Sequence, residues 1–558
     1  MANEKIRIVS LGGQDEDGKN CIVVEINNDI FVVGCGIKHP DKTMPGIDYI
    51  IPNFDYLKAN KDRVRAYFLL HGHDDDIAAL AYLYDEVPAP IYGSKVTLTM
   101  FKMFTKHVQR DKIPYKFIEV KATSDFKVVG REISYFHTSH NVADSSGIAI
   151  STQYGNIVIT SDFVVENNAT PAYLHDTNAI ARIADKGVLI LLTESIYATR
   201  AGYNAPMYRI SSHIEEQLKH SDGRTYVAMF ASNFYNIDEV LNIAKRNRKK
   251  VIPYDEETDE ILKTMAEAQA APIDKNLVAP LSEINRIREQ DIIILMLAHD
   301  TRAYAKIALL AAGQIEDYRL KLRPSDTFIV ACPYNNNTEV ESVDAIDELY
   351  RSGCKVYAVS KKNFFRMHAC VEDLKTIIGM LRPKYYLPVK GMYMNLLCNA
   401  QVAAEMNVGL NHTNIFLLDN GFSLLIDEKG ARMFDEKIPH GDIMIDGIGV
   451  GDVSPAVVQD REKLAEGVII IAAIISKSKK KVIAGPDVQV RGLVYLKDSE
   501  ILVRDVTRIF NSCLENHLSS PYYDIRKLKD EVYEKVARAV KRQSGNEPMV
   551  LPLLTEAD

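Results

Sequence analysis

Apolar positions come in short runs through the first 200 residues. IRIVSL (6–11), CIVVEI (21–26) and DIFVVG (29–34) predict strands, with Asn27-Asn28 as a tight turn between the last two. VRAYFLL (64–70) predicts a buried strand that runs straight into HGHDDD. IAALAYLYDEV then carries helical periodicity, with Asp75 or Asp76 placed to cap it. ISYFHTSH (133–140) and GNIVITSDF (155–163) predict two more strands that end in polar groups. Several distant strands therefore deliver His or Asp at their ends, a common way to assemble a site.

From about 205 the period alternates between strand and helix. TYVAMFAS (225–232) precedes NIDEVLNIAKRN, DIIILMLA (291–298) precedes AYAKIALLAAG, and TFIVACP (327–333) precedes VDAIDELYRSG. Such alternation predicts a parallel α/β sheet. A helix and a strand follow in VEDLKTIIGMLRPKYYLPVKG (371–391). DGIGVGDVS (446–454) is Gly-rich and reads as a linker. Beyond it, strands are predicted at 467–476 and 482–486. A terminal amphipathic helix follows, with Ile525, Leu528, Val532, Val536 and Val540 on its apolar face. KSKKK (477–481) reads as a solvated hairpin tip rather than an RNA contact.

The 558 residues exceed one core and imply three or four domains. With 47% hydrophobic and 25% charged residues, the composition is that of a globular protein. A net charge of −8 gives no bulk attraction to nucleic acid, so RNA binding would need a local basic groove. The seven cysteines are scattered without a CxxC pair, which argues against a disulfide framework or a cysteine zinc site. The N-terminal residues do not read as a signal peptide. VIIIAAII (468–475) is far short of a membrane span, so no membrane association and a cytoplasmic location are expected.

HGHDDD carries the candidate chemistry. Two histidines at i and i+2 on a tight loop can reach one metal ion. On its own the pattern is weak, since Asp74 to Asp76 would also suit a helix N-terminus. His140 and Asp162, each closing a later strand, strengthen the metal reading.

The order HxHxDH, then His, then Asp, is that of metallo-β-lactamase folds. The chain resembles the ribonuclease J family, β-CASP nucleases of this superfamily, over nearly its whole length. The stretches that carry the resemblance are PGIDYIIPNFDYL (45–57), APIYGSKVTLTM (89–100), ASNFYNIDEVLNIAKRNRKKV (231–251), LRPKYYLPVKG (381–391), DGIGVGDV (446–453) and AGPDVQVRGLVYLKDSE (484–500). The resemblance implies an α/β fold: a metallo-β-lactamase αββα sandwich with an inserted β-CASP α/β domain and a small C-terminal α/β domain. The expected boundaries are 1–205 and 356–445 for the split sandwich, 206–355 for the insertion, 446–460 for a linker and 461–558 for the C-terminal domain. It further implies a zinc-dependent 5′–3′ exoribonuclease, able also to cut internally, acting in ribosomal RNA maturation and messenger RNA decay.

Carried over by position, the resemblance assigns His71, His73, His140 and Asp162 to a first, zinc-holding metal site. Asp75 and Asp76 would form a degenerate second site. Asp76 stands where the family has histidine, and Lys390 replaces a further histidine ligand. A protonated lysine repels a dication. We therefore expect Lys390 to pair with Asp75, Asp76 or both in place of the second metal. The alternative is Mn2+ or Mg2+ held by Asp75, Asp76 and Asp162. Gly34 stands where a family aspartate orients ligands. Asp75, Glu194 and His368 are the implied catalytic groups. Phe364, Phe365, Arg366, Met367 and His368 replace a phosphate-holding His-Val-Ser-Gly-His run, and Pro333 and Asn337 match a Pro…Asn loop near the RNA. LAHDTR (297–302) replaces a glycine-rich loop whose small residues admit phosphate. These departures imply weak intrinsic activity. The resemblance is to the second, eroded member of a paralogue pair in low-GC Gram-positive bacteria. A homodimer, and a hetero-oligomer with the active paralogue that helps bind RNA, are the implied assemblies. A small-molecule hydrolase such as a lactonase is disfavoured by the full-length match.

Overall fold

The structure is a computed structural model. It describes all residues except 1–2, 42, 122, 167–170, 205–209, 272, 275, 316, 335–337, 360–366, 435, 448, 451–452, 477, 480, 494–495, 520–523 and 558. The described chain divides into two compact units. One comprises Met1–His39 with Tyr49–Ile443, the other Pro40–Asp48 with Met444–Asp558.

The first unit holds two sheets whose inner faces share one core. An eight-stranded sheet includes Ile6–Gly12, Cys21–Ile26, Asp29–Val33 and Val64–Phe68. A six-stranded sheet runs in the order Tyr385–Val389, Val188–Glu194, Gly155–Ile159, Ser146–Thr152, Arg131–His137, Asp125–Val128. Phe31 and Phe68 from the first sheet meet Ile148, Ile190 and Leu387 from the second. Alternation along each strand sends the next residues outward. Leu191 and Tyr386 accordingly pack under the helices Thr177–Asp185, Val371–Leu381 and Tyr393–Glu405. This is an αββα sandwich. It is split in sequence: Ile6 pairs with Ile426, and Glu194 with Val389.

Between these halves lies a five-stranded, all-parallel sheet in the order Lys250–Pro253, Ile292–Ala298, Thr225–Phe230, Thr327–Ala331, Lys355–Ala358. Its three central strands, Ile292–Ala298, Thr225–Phe230 and Thr327–Ala331, are nearly continuous buried runs, as expected where helices cover both faces. In the second unit, a three-stranded sheet packs Ile469, Ile471 and Ile475 against Leu502, Val506 and Phe510, and against Leu528, Val532, Val536 and Val540.

Several local expectations are corrected. The helix after HGHDDD is two short turns, Asp74–Ile77 and Leu80–Leu83, and the N-cap residue of the first is His73. Asp75 and Asp76 lie inside that turn; Asp76 is turned inward rather than capping it. The expected linker 446–460 is partly ordered. Ile445 and Asp446 pair with Val450 and Gly449, and residues 455–460 open the helix Pro455–Ala465, where proline at the first position suits the helix. Residues 482–486 belong to one longer strand, Lys481–Arg491. The chain continues past the helix Ile525–Ser544 into the strand Met549–Glu556, which pairs in parallel with Val468–Ser476. No helix among the described residues is long and apolar enough to cross a membrane.

Candidate metal centre

Strand direction gathers the site. Gly155–Ile159, Val188–Glu194 and Tyr385–Val389 are mutually parallel, and Arg131–His137 runs the same way, because the one strand between, Ser146–Thr152, is antiparallel to both its neighbours. Their carboxyl ends therefore share one edge, where they present Asp162, Glu194, Lys390 and His140. From the other sheet, Val64–Phe68 ends just before His71 and His73. Glycine between these two histidines makes room for the Met100 side chain. A Cβ at Gly72 would lie 2.2 Å from Met100 Sδ.

His71, His73 and His140 form a nearly equilateral trio, with ring centroids 4.9, 5.0 and 4.9 Å apart. One ligand atom from each, with one from Asp162, falls within 4.8 Å of all the others. His71 Nε2 lies 3.2 Å from Asp162 Oδ2 but is not aligned to it as a hydrogen bond, as suits two atoms aimed at a common point. His73 Nδ1 faces His140 Nε2 at 3.2 Å. The remaining ring nitrogens are held from outside: His71 Nδ1 by Ser161 Oγ at 3.1 Å, His73 Nε2 by the Ser232 carbonyl at 3.3 Å, and His140 Nδ1 by the Met367 carbonyl at 2.7 Å. Outer partners of this kind fix the tautomer of a metal-ligating histidine. The donor set fits one tetrahedral zinc ion with three histidines and a carboxylate.

Lys390 fills the neighbouring space. Its Nζ lies 2.9 Å from Asp76 Oδ1 and 3.0 Å from Asp162 Oδ1. The lysine backbone is left-handed (φ 58°), and its carbonyl is pinned by the Ser195 N–H. Asp75 stands differently from the expected pairing. Its Oδ2 accepts from Asn20 Nδ2 at 2.8 Å, and no ion pair joins it to Lys390 among the described residues. Gly34 completes this corner: a Cβ there would sit 3.2 Å from Asp76 Oδ1. The glycine and the inward aspartate therefore go together.

Burial alone would neutralise these groups, and their mutual charges prevent it. Burial works to lift Asp162 and Asp76, yet Lys390 and His71 hold both below the ordinary carboxylate range. Burial pushes Asp75 up to about 6, with Lys390 opposing. Lys390 is raised despite its burial by Asp162, Asp76 and Asp75. Burial likewise works against His71, but Asp76 and Asp162 raise it to about 10. Burial and the charge on His71 lower His73 to about 3. Without metal, Asp76 and Asp162 are thus balanced by Lys390 and a protonated His71.

That balance makes a pH prediction for the metal-free chain. His71 is raised in the fold, so its stabilising proton is fully present below about 6.5 and is lost as pH rises through about 10. Urea unfolding of metal-free protein is expected to show a stability loss of a few kcal/mol from pH 7 to pH 10. His71→Gln should flatten the profile; an equally steep profile in that variant would contradict the assignment.

His368 and Glu194 make a second pair. Glu194 is fully buried. Its Oε2 accepts from His368 Nδ1 at 2.8 Å, and its Oε1 accepts from the backbone N–H of Phe163 (2.7 Å) and Ala369 (3.1 Å). Glu194 thus orients the imidazole through Nδ1. The His368 ring lies 5.3 Å from that of His140. Met367, expected on the RNA side, is buried, and its carbonyl faces His140 Nδ1 at 2.7 Å. Phe364, Phe365, Arg366 and Asn337 lie outside the described residues. In the 297–302 segment, Ala298 ends a strand, and His299 begins the helix Asp300–Ala311 without a side-chain cap. Sequence reasoning missed Asn20, Ser161 and Ser232. Only Ser161 carried a signal, as the neighbour of Asp162; a carbonyl contact such as that of Ser232 leaves none.

Comparisons with known proteins agree with this geometry. Residues 15–195 match the metallo-beta-lactamase superfamily, 222–349 the beta-CASP domain of ribonuclease J, and 456–557 the ribonuclease J C-terminal domain. The chain is 32% identical over 557 residues to Ribonuclease J 2 of Staphylococcus aureus strain NCTC 8325, covering 99% of each chain. It is 31% identical to Ribonuclease J 2 of Staphylococcus epidermidis strain RP62A over the same span. Among solved structures, a protein of unknown function from Enterococcus faecalis V583 shares the fold. Its TM-score is 0.50 at 13% identity, over 77% of this chain and 100% of that one.

Proposed function

The chain belongs to the ribonuclease J family, and we propose that it is a single-zinc ribonuclease of weak intrinsic activity. It would act 5′ to 3′ on 5′-monophosphorylated RNA, with endonucleolytic cutting as a further capacity, in ribosomal RNA maturation and messenger RNA decay. The observation that carries this reading is the Lys390 ammonium between Asp76 and Asp162. One half of the centre keeps a full donor set, while the other half is occupied by a tethered cation.

His71, His73, His140 and Asp162 would hold the zinc ion. When bound, zinc supplies Lewis acidity toward a phosphoryl oxygen. The chain's own residues do the rest. Lys390 neutralises the carboxylates but, saturated by Asp76 and Asp162, has little charge left for a substrate. His368, oriented by Glu194, offers Nε2 as a hydrogen-bond donor to a scissile phosphate or leaving oxygen. Asp75, pushed up to about 6, is the carboxyl group able to exchange a proton near neutrality. Mn2+ or Mg2+ at the Asp75–Asp76 side would first have to displace Lys390, which disfavours that alternative.

The same lysine favours a second reading, a catalytically silent subunit. It would dimerise, assemble with an active ribonuclease J paralogue and help hold RNA. The test is the purified full chain with 5′-monophosphorylated RNA and Zn2+ or Mn2+. Slow mononucleotide release, abolished by His73→Ala, is the expected result. Release indifferent to His73→Ala would signal a contaminant. No release, together with co-purification of a paralogue, would replace the first reading by the second. The family supports action in the cytoplasm.

A further inference from the structure

The inserted sheet does more at the metal centre than stand beside it. Ser232 lies in the turn between the strand Thr225–Phe230 and the helix Phe234–Arg246, at the carboxyl end of a parallel strand. Its carbonyl accepts from His73 Nε2 at 3.3 Å, while His73 Nδ1 points into the ligand group. The turn is anchored on both sides. The Tyr235 N–H donates to the carbonyl of Asn141, the residue after His140, at 2.9 Å, and the Tyr235 ring packs edge-on against Tyr173 at 5.0 Å. Within the insertion, the Ala231 N–H donates to the Ala298 carbonyl at 3.0 Å, and Asn233 Oδ1 caps the following helix through the Asn236 N–H at 3.1 Å.

An imidazole can ligate through Nδ1 only when its proton sits on Nε2, and that tautomer is favoured by an acceptor facing Nε2. For His73 the acceptor is main chain from the inserted domain. We infer that metal loading of the histidine cluster and seating of the inserted domain on the sandwich form one coupled equilibrium, with the Ser232 carbonyl as the contact. Seating the turn sets the His73 tautomer and strengthens metal binding; metal, by fixing His73, holds the turn. Thermodynamic linkage makes the two effects equal. Loss of such an outer partner commonly weakens a metal site about 10–100-fold. Asn233 is then a positioning residue for the metal, although it touches none of its ligands.

The inference rests on the single-zinc reading, and the test separates the two. Zinc affinity of the full chain is measured by competition with a chromophoric chelator. Amide hydrogen exchange is followed with and without zinc. One equivalent of zinc is expected to slow exchange at Tyr235 and in the turn 231–237, while the strand Met549–Glu556 stays unchanged. Asn233→Ala, which removes the cap, is expected to weaken zinc about 3–10-fold, and Asn233→Asp, which keeps an acceptor oxygen, to restore it. Zinc bound at one equivalent with unchanged exchange in 231–237, or with unchanged affinity in Asn233→Ala, overturns the coupling and leaves the metal reading standing. Failure to bind zinc at all overturns both.

Discussion

The double substitution Asp76→His with Lys390→His is expected to raise mononucleotide release from 5′-monophosphorylated RNA by about 100-fold and bound metal from one to two equivalents per chain. Nζ of Lys390 sits within 3.0 Å of both Asp76 and Asp162, so the ammonium fills the space a second dication would need. Two imidazoles at these positions would add neutral donors beside Asp75 and Asp162, and Asp162 would be freed to share its second oxygen. Neither single change suffices. Asp76→His alone leaves the cation in place, and Lys390→His alone leaves a carboxylate at Asp76 where the second ion needs a neutral donor. Adding Gly34→Asp should help less than its family position suggests. Gly34 has φ 69°, and a Cβ there would lie 3.1 Å from the Asn20 carbonyl. A non-glycine residue in that conformation costs about 1–2 kcal/mol. Metal analysis and single-turnover kinetics decide the matter. A double variant that still binds one equivalent, or gains no rate, would show that Lys390 is not what excludes the second ion.

Lys390→Met is expected to destabilise the metal-free chain by about 3–5 kcal/mol, because removing one partner of a buried ion pair strands the other charges. Methionine keeps the stem and its packing, so the loss reports charge rather than volume. Asp76 and Asp162 would be left with His71 as their cation, and both would resist ionising. Their pKa values would then be raised in the fold. The variant should therefore gain stability more steeply than the parent as pH falls from 7.5 toward 5, because in the parent Lys390 and His71 hold these two carboxyls low and neither titrates in that window. Urea unfolding in the presence of a chelator at pH 5 and pH 7.5 measures both effects. A variant as stable as the parent at pH 7.5 would show the ion pair to be energetically idle.

The site was legible in residue types and much less so in their pairing. HGHDDD, His140 and Asp162 are visible as polar residues at strand ends, and Lys390 through the family resemblance. The expected choice between Asp75 and Asp76 as lysine partner was not resolvable, since neighbours in one turn point in different directions. The structure pairs Lys390 with Asp76 and Asp162 and gives Asp75 to Asn20. The expected capping role of the aspartates failed for the same reason. A helix start was read where the chain forms two short turns, Asp74–Ile77 and Leu80–Leu83. At the other end, the strand Met549–Glu556 escaped because MVLPLLTE carries a proline and follows a long helix, and only its pairing with Val468–Ser476 makes it a strand.

By itself the sequence determined most of the strands and helices and which residues carry charge and ligating nitrogen. These follow from local periodicity and residue chemistry, which need no partner from elsewhere in the chain. The tertiary structure alone decided which charges meet. Parallel strands brought Asp162, Glu194 and Lys390 to one edge, burial removed the water that would have screened them, and a carbonyl from the inserted sheet came to face His73. An ion pair at 3 Å depends on distance and dielectric, and both are properties of the folded chain.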